Sequence, residues 1–288
     1  MHARLWTAMV TPFQKNESLD LEAFKSLVDH LCATGSEGLV VGGTTGEAPV
    51  LTLEEKTAIA EAAVERTGGR VPVFAGAGTN ATASSVQAVK QLTSTGVDGI
   101  MAVVPYYNKP NQRGLYQHFK KMAEATHLPL MIYNIPGRTS VNLAPETVVE
   151  LAKVENITSV KEASGDLEQC AYIIENTPDD FHLYAGDDSA TLPVMAIGGF
   201  GVVSVAAHVI GTEMHEMVHA FARGEVAKAA ALHRELLDRM KMCFSAPNPA
   251  PVKALLHEEG LLENVLRLPL LPVDEKVNSA LVQSFSRK

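Results

Sequence analysis

Short apolar segments alternate with longer amphipathic segments along most of the chain. Several of the longer segments, at residues 21–34, 53–67 and 112–126, have the hydrophobic spacing of helices, and Thr52 with Glu55 forms a capping-box pattern before the second. Alternation of strand and helix is typical of parallel βα units. Eight apolar segments are candidate strands: residues 5–10, 38–41, 71–75, 99–104, 128–133, 158–161, 181–185 and 201–205. Eight such units predict a closed (β/α)₈ TIM barrel of the α/β class.

The remaining C-terminal segment also has helical spacing, interrupted by Pro247, Pro249 and Pro251. No linker-like composition separates it from the barrel. We therefore expect residues 1–224 to form a catalytic barrel domain and residues 225–288 to form a helical extension packed on it.

Composition and charge exclude several classes of protein. The chain is 46% hydrophobic, with a formal net charge of −9 and no cluster of Lys or Arg, which argues against nucleic-acid and membrane-surface partners. No signal-peptide pattern or long apolar segment is present, so a cytoplasmic location is expected. Cys32, Cys170 and Cys243 lack metal-binding or redox spacing and are expected to be free thiols.

A parallel barrel gathers the loops that follow its strands around one opening, where catalytic groups lie. Residues 42–47, Tyr106, Tyr107, Tyr133, Asn134, Arg138, Lys161, Gly186 and Val203 lie at strand ends or close beyond them. We expect these groups to share one cavity.

Lys161 ends the sixth apolar segment and should project into the opening. An amine attacks a carbonyl only when it is unprotonated, and burial disfavours its charged form. Lys161 is therefore a candidate nucleophile for Schiff-base formation. The alternative is a structural ion pair with Glu162 or Asp187.

Three other features suit binding or proton transfer, and each also has a purely structural interpretation. Residues 42–47, GGTTGE, can cradle a carboxylate or form an ordinary tight turn. Tyr133 can transfer a proton through Thr44 and Tyr107, or it can be a buried aromatic. Arg138 can bind a carboxylate through two hydrogen bonds or form a surface salt bridge.

Residues 215–219 match the zinc motif H-E-x-x-H through His215, Glu216 and His219. A zinc metallohydrolase is thus a remote alternative. The segment follows the eighth strand, so its helix should lie outside the barrel and away from the opening, and no third ligand is evident nearby. We interpret the match as a coincidence and expect no metal.

Six motifs together closely resemble the dihydrodipicolinate synthase family and follow its order along nearly the whole chain. They are GGTTGE (42–47), PYYNKP (105–110), YNIPGRT (133–139), VKEASGD (160–166), AGDD (185–188) and NPAPVK (248–253). The resemblance implies an enzyme in which a Lys161 imine of pyruvate becomes an enamine and attacks L-aspartate 4-semialdehyde. The product, 4-hydroxy-tetrahydrodipicolinate, lies on the diaminopimelate route to lysine. No metal or organic cofactor is implied.

The resemblance also implies roles for individual residues. Thr44, Tyr133 and Tyr107 form a proton relay, and Tyr107 reaches the neighbouring subunit of a homotetramer. Thr45 holds the pyruvate carboxylate and Arg138 holds the semialdehyde carboxylate. Gly186 and Val203 line the site through their carbonyls.

Two expectations concern differences within the superfamily. N-acetylneuraminate lyase and 2-keto-3-deoxy sugar acid aldolases share the barrel and the lysine, but Arg138 favours the semialdehyde substrate. Lysine-inhibited members place His and Glu in an inter-subunit pocket, where this chain carries Leu53, Lys56 and Ser84 while keeping Asn80 and Tyr106. Feedback inhibition by lysine should therefore be weak or absent. Ala48, beside GGTTGE, is a smaller departure that should not affect catalysis.

Overall fold

The computed structural model, which describes residues 3–286, contains a closed barrel of eight parallel strands in sequence order. The strands are β1 (Leu5–Ala8), β2 (Gly38–Val41), β3 (Val73–Gly76), β4 (Gly99–Val103), β5 (Leu130–Asn134), β6 (Ile157–Glu162), β7 (His182–Ala185) and β8 (Gly201–Ser204). Each pairs with the next, and β8 pairs with β1. The predicted (β/α)₈ fold is confirmed.

Helices connect the strands and continue beyond the barrel. They are α1 (Leu21–Ala33), α2 (Leu53–Thr67), α3 (Thr82–Thr93), α4 (Gln112–Ala123), α5 (Pro136–Thr139), α6 (Pro145–Leu151), α7 (Leu167–Asn176), α8 (Thr191–Ala196), α9 (Ala207–Ala222), α10 (Val226–Met242), α11 (Ala250–Glu258) and α12 (Glu275–Ser286). Thr52 and Glu55 form the predicted capping box of α2. No helix within residues 3–286 has the length and apolar character needed to cross a membrane.

Several predicted strand ends were wrong by one or two residues, for identifiable reasons. The strand predicted at 5–10 ends at Ala8, and the Val10 amide donates to Nε2 of His208. β3 and β5 begin directly after Pro72 and just after Pro129, because proline has no N–H to donate to the ladder.

Aromatic side chains fill the inside of the barrel. The rings of Trp6 and Phe74 meet edge to face with centroids 4.7 Å apart, and Tyr184 packs against Trp6. Gly38 and Gly99 leave room for them, since a Cβ there would lie 2.4 Å from Trp6 and 2.3 Å from Phe74. This packing fills the centre of the barrel with side chains.

Candidate active site

Lys161 lies inside the barrel near the carboxyl end of β6. It is in register with Tyr133 on β5 and Tyr184 on β7. Both belong to a buried apolar cluster inside the barrel, called here the inner cluster, which also includes Trp6, Phe74 and Val203. The side chain is almost completely buried, and Nζ lies 4.2 Å from the centroid of the Tyr133 ring. The amine is therefore held within the barrel, and its projection into the opening stays a prediction.

The alternative of a structural ion pair at Lys161 is wrong. None of the ion pairs in the described part of the chain, residues 3–286, includes Lys161. Glu162 faces the other side of the strand and accepts hydrogen bonds from Asn134 and Gln169. Asp187 accepts from the amide and hydroxyl of Ser189.

A cavity of about 450 Å³ opens at the carboxyl ends of β2 to β5. Thr44, Tyr133 and Arg138 line it, as the sequence predicted. The expectation of one shared cavity is met only in part, because the lining does not include Thr45, Gly46, Glu47, Tyr107, Asn134, Lys161, Gly186 or Val203. The other lining residues are Gly42, Gly43, Ala48, Pro49, Leu51, Lys56, Gly76, Gly78, Thr79, Met101, Val103, Tyr106, Ile135 and Thr139.

The GGTTGE loop is held by side chains that are distant in sequence. Thr45 is buried, and its hydroxyl oxygen accepts a hydrogen bond of 3.0 Å from Nδ2 of Asn248. The Thr11 hydroxyl donates to the Gly46 carbonyl at 2.8 Å. Because Thr45 accepts from Asn248, its own O–H is available to donate to a carboxylate.

The structure does not bring Tyr107 to the other candidates. Its side chain is 86% exposed, its backbone has a left-handed φ of +74°, and it does not line the cavity. A tyrosine carries no preference for this φ, which normally indicates a local constraint. Within one chain, Tyr107 therefore projects into solvent, apart from Thr44 and Tyr133.

Gly186 and Val203 occupy neighbouring parts of the barrel. The Gly186 amide donates to the Glu162 carbonyl at 2.7 Å, and a Cβ at Gly186 would lie 2.5 Å from the Cβ of Ala163. Val203 is buried in the inner cluster with Tyr133. Gly186 thus directly follows β7, the strand next to that of Lys161, whereas Val203 lies on β8, one strand further around the barrel. Only Gly186 has a visible steric reason for its identity.

A buried ion pair that includes Glu47, the last residue of the GGTTGE loop, was not predicted. Lys253 on α11 donates to Glu47 at 2.5 Å, and both side chains are fully buried. The Lys253 amine also donates to the Val265 carbonyl at 2.8 Å and lies 4.4 Å from the centroid of the Phe13 ring. Burial lowers the pKa of Lys253 to about 8 despite Glu47. Glu47 belongs to the GGTTGE motif and Lys253 to the NPAPVK motif. Their separation in sequence gives no sign that the two side chains form an ion pair.

The H-E-x-x-H segment lies on α9, outside the barrel, as predicted. The expectation that no third ligand lies nearby is wrong. The Glu37 carboxylate is 2.7 Å from Nε2 of His219 and 3.6 Å from Nε2 of His215. Glu216 points elsewhere and pairs with Arg223 and Lys228. The segment therefore does not have the arrangement of a metallohydrolase.

Comparison with known proteins agrees with this geometry. The model of the dihydrodipicolinate synthetase family matches residues 1–288. The chain belongs to this family. It is 57% identical over 270 residues to 4-hydroxy-tetrahydrodipicolinate synthase 1 of Halalkalibacterium halodurans, covering 94% of this chain and 92% of the relative. It is 50% identical to the Bacillus subtilis 4-hydroxy-tetrahydrodipicolinate synthase, covering 97% of each.

A solved relative has nearly the same fold. The crystal structure of a Bacillus anthracis dihydrodipicolinate synthase has a TM-score of 0.98 and 48% identity, covering 100% of this chain and 99% of that one. The family predicted from the six motifs is confirmed, and the chain is an enzyme.

Proposed function

We propose that this enzyme is a 4-hydroxy-tetrahydrodipicolinate synthase, a lyase that condenses pyruvate with L-aspartate 4-semialdehyde on the diaminopimelate route to lysine. The observation that carries the proposal is Lys161, a buried amine without an ion pair among residues 3–286, held beside Tyr133 at the carboxyl end of the barrel. The printed names of the relatives support the same activity.

The Lys161 amine attacks the ketone carbon of pyruvate, and loss of water gives an imine. The protonated imine withdraws electrons, so the methyl group releases a proton and an enamine forms. The enamine carbon attacks the aldehyde carbon of the second substrate. That substrate's amine then displaces Lys161 as the ring closes, which regenerates the free amine. The imine supplies the electron sink, so the cycle needs no metal or organic cofactor.

Thr44, Tyr133 and Tyr107 serve as the proton relay. Thr44 and Tyr133 face the same cavity, and the Tyr133 ring contacts the Lys161 amine. Tyr107 is exposed in the single chain, which fits a residue that enters the cavity of a neighbouring subunit. Activity then depends on assembly, and we propose a homotetramer.

Binding of two carboxylates follows from the remaining polar groups. Thr45 donates its hydroxyl and backbone amide to the pyruvate carboxylate, as its hydrogen bond from Asn248 leaves the O–H free. Arg138 lines the cavity and holds the semialdehyde carboxylate through its planar fork. Gly186 and Val203 place backbone carbonyls near the imine.

Location and domain organisation complete the proposal. The enzyme works in the cytoplasm, where its small-molecule substrates are made, and binds neither nucleic acid nor membrane. Residues 1–224 form the catalytic barrel and residues 225–288 the helical extension. The Lys253–Glu47 pair supports the packing of the extension on the barrel, because it joins the extension directly to the GGTTGE loop.

A comparison of substrates in separate assays tests the proposed activity. Initial rates are measured with pyruvate plus aspartate semialdehyde, and cleavage is measured with N-acetylneuraminate and 2-keto-3-deoxygluconate. We expect turnover only in the first assay. Preferred cleavage of either sugar acid would contradict the proposal.

Arg138→Met tests the assigned carboxylate contact. It should lower kcat/KM for the semialdehyde by roughly 10- to 100-fold, as expected for loss of hydrogen bonds to a charged group. Pyruvate binding should change little. Arg234→Met, at an exposed arginine on α10, is the matched control and should be unchanged.

A further inference from the structure

The chain carries a second cluster of chemically active side chains at the opposite end of the barrel from the catalytic cavity. His215 and His219 lie one turn apart on α9, with ring centroids 4.2 Å apart. Glu37 immediately precedes β2, so it lies at the amino-terminal end of the barrel. One potential ligand atom from each residue falls within 4.8 Å of the other two. The proposed aldol reaction uses none of them.

The geometry of this cluster is close to that of a metal site. Zinc bonds to His nitrogen and carboxylate oxygen are about 2.0–2.2 Å long, so tetrahedral ligand atoms lie about 3.3–3.5 Å apart. The Glu37 oxygen is 2.7 Å from His219 and 3.6 Å from His215. Both distances are already within about 1 Å of the tetrahedral separation.

Glu37 is already oriented by the backbone. One carboxylate oxygen accepts from the amides of Arg4 at 2.7 Å and Leu5 at 3.0 Å, which turns the other oxygen toward the imidazoles. Such outer contacts fix ligand orientation in metal sites.

Two glycines allow the Glu37 segment to approach α9. Gly35 has a left-handed φ of +101°, and a Cβ there would lie 2.9 Å from the Cβ of His215. A Cβ at Gly211 would lie 2.6 Å from the Thr34 carbonyl oxygen. The segment and the helix are therefore packed closely enough for the three side chains to share one ion.

We propose that Glu37, His215 and His219 form a binding site for Zn²⁺ or a similar late first-row divalent cation. Two imidazoles and a carboxylate are borderline ligands that suit zinc, cobalt, nickel and copper. All three side chains are partly exposed, which leaves a coordination position for water. Glu216 is held by Arg223 and Lys228 and cannot activate that water. The site is structural and joins α9 to the start of β1 and β2.

Metal titration of the full-length enzyme after removal of metals by chelation tests the proposal. Calorimetry with Zn²⁺ should show one equivalent bound per chain, and Co²⁺ should develop the visible absorption of a tetrahedral complex. Zn²⁺ should also raise the Tm, since it binds only the folded state. Aldol activity should be the same with and without metal, because the site is remote from Lys161.

Single substitutions identify the ligands. His215→Ala removes no close hydrogen bond, so it should fold normally and lower Zn²⁺ affinity by at least about tenfold. His219→Ala should do the same but also loses its bond to Glu37. His127→Ala, at an exposed histidine, is the matched control, and Glu216→Gln should bind like the unaltered enzyme. Absence of saturable binding, or unaltered affinity in His215→Ala, would overturn the proposal.

Discussion

Removing one partner of the buried pair of Glu47 and Lys253 should strongly destabilise the fold. At 2.5 Å and an effective dielectric constant near 20, the attraction between unit charges is about 7 kcal/mol. Desolvation of the two ions offsets much of this attraction. Lys253→Met leaves the Glu47 carboxylate buried, with the Arg267 amide at 3.1 Å as a remaining donor. We expect the free energy of unfolding to fall by about 3–5 kcal/mol.

Urea denaturation followed by fluorescence measures this loss. Trp6, the single tryptophan, is fully buried and reports on the barrel. Protein concentration is held constant, because assembly couples stability to concentration. The control is Lys121→Met, which removes an exposed pair with Glu124 and should cost less than about 1 kcal/mol.

The double variant Glu47→Gln/Lys253→Met separates the ion pair from simple loss of packing. It removes both charges, so it should be more stable than Lys253→Met alone. A cost below about 1 kcal/mol for Lys253→Met, or a double variant less stable than the single one, would refute the reasoning.

Three further predictions concern the relay, pH and regulation. Tyr107→Phe should lower turnover while leaving imine formation with pyruvate largely intact; loss of pyruvate binding in a trapping assay would contradict the relay role. Burial lowers the pKa of His208 from 6.5 to about 4, and its Nε2 accepts from the Val10 amide. The unfolded state therefore binds the additional proton, and the free energy of unfolding should decrease by up to about 3 kcal/mol as the pH falls from 6.5 toward 4. In His208→Gln this dependence, measured by urea midpoints, should be shallower, and an equal slope would argue against it. L-lysine should inhibit weakly or not at all in the steady-state assay, because the family resemblance puts Leu53, Lys56 and Ser84 where lysine-inhibited members carry His and Glu; clear inhibition at sub-millimolar lysine would contradict this.

The barrel and part of its opening could be predicted because their signals are local. Each strand is a short apolar segment, and parallel topology gathers Tyr133, near the end of β5, with Thr44 and Arg138, which lie just beyond strand ends. Strand ends depended on hydrogen-bond details such as the missing N–H of Pro72, which a hydrophobicity pattern does not register.

Contacts between distant segments could not be predicted. Glu47 and Lys253 are 206 residues apart, and Glu37 and His219 are 182 residues apart. Neither pair has a spacing that links its members. Glu37, the third potential metal ligand, was therefore missed although His215 and His219 belong to a recognisable motif. The left-handed backbone of Tyr107 was equally outside the hydrophobicity pattern, whereas its exposure in a single chain fits the inter-subunit role that the family resemblance implies.

Borohydride reduction in the presence of pyruvate tests the central claim most directly, because it converts the imine into a stable adduct that mass spectrometry can locate. Lys56 is the informative competitor, since it also lines the cavity and burial lowers its pKa. We predict one adduct, on the peptide that contains Lys161, which persists in Lys56→Met and is absent from Lys161→Met. An adduct on Lys56, or trapping and turnover that survive in Lys161→Met, would contradict the account.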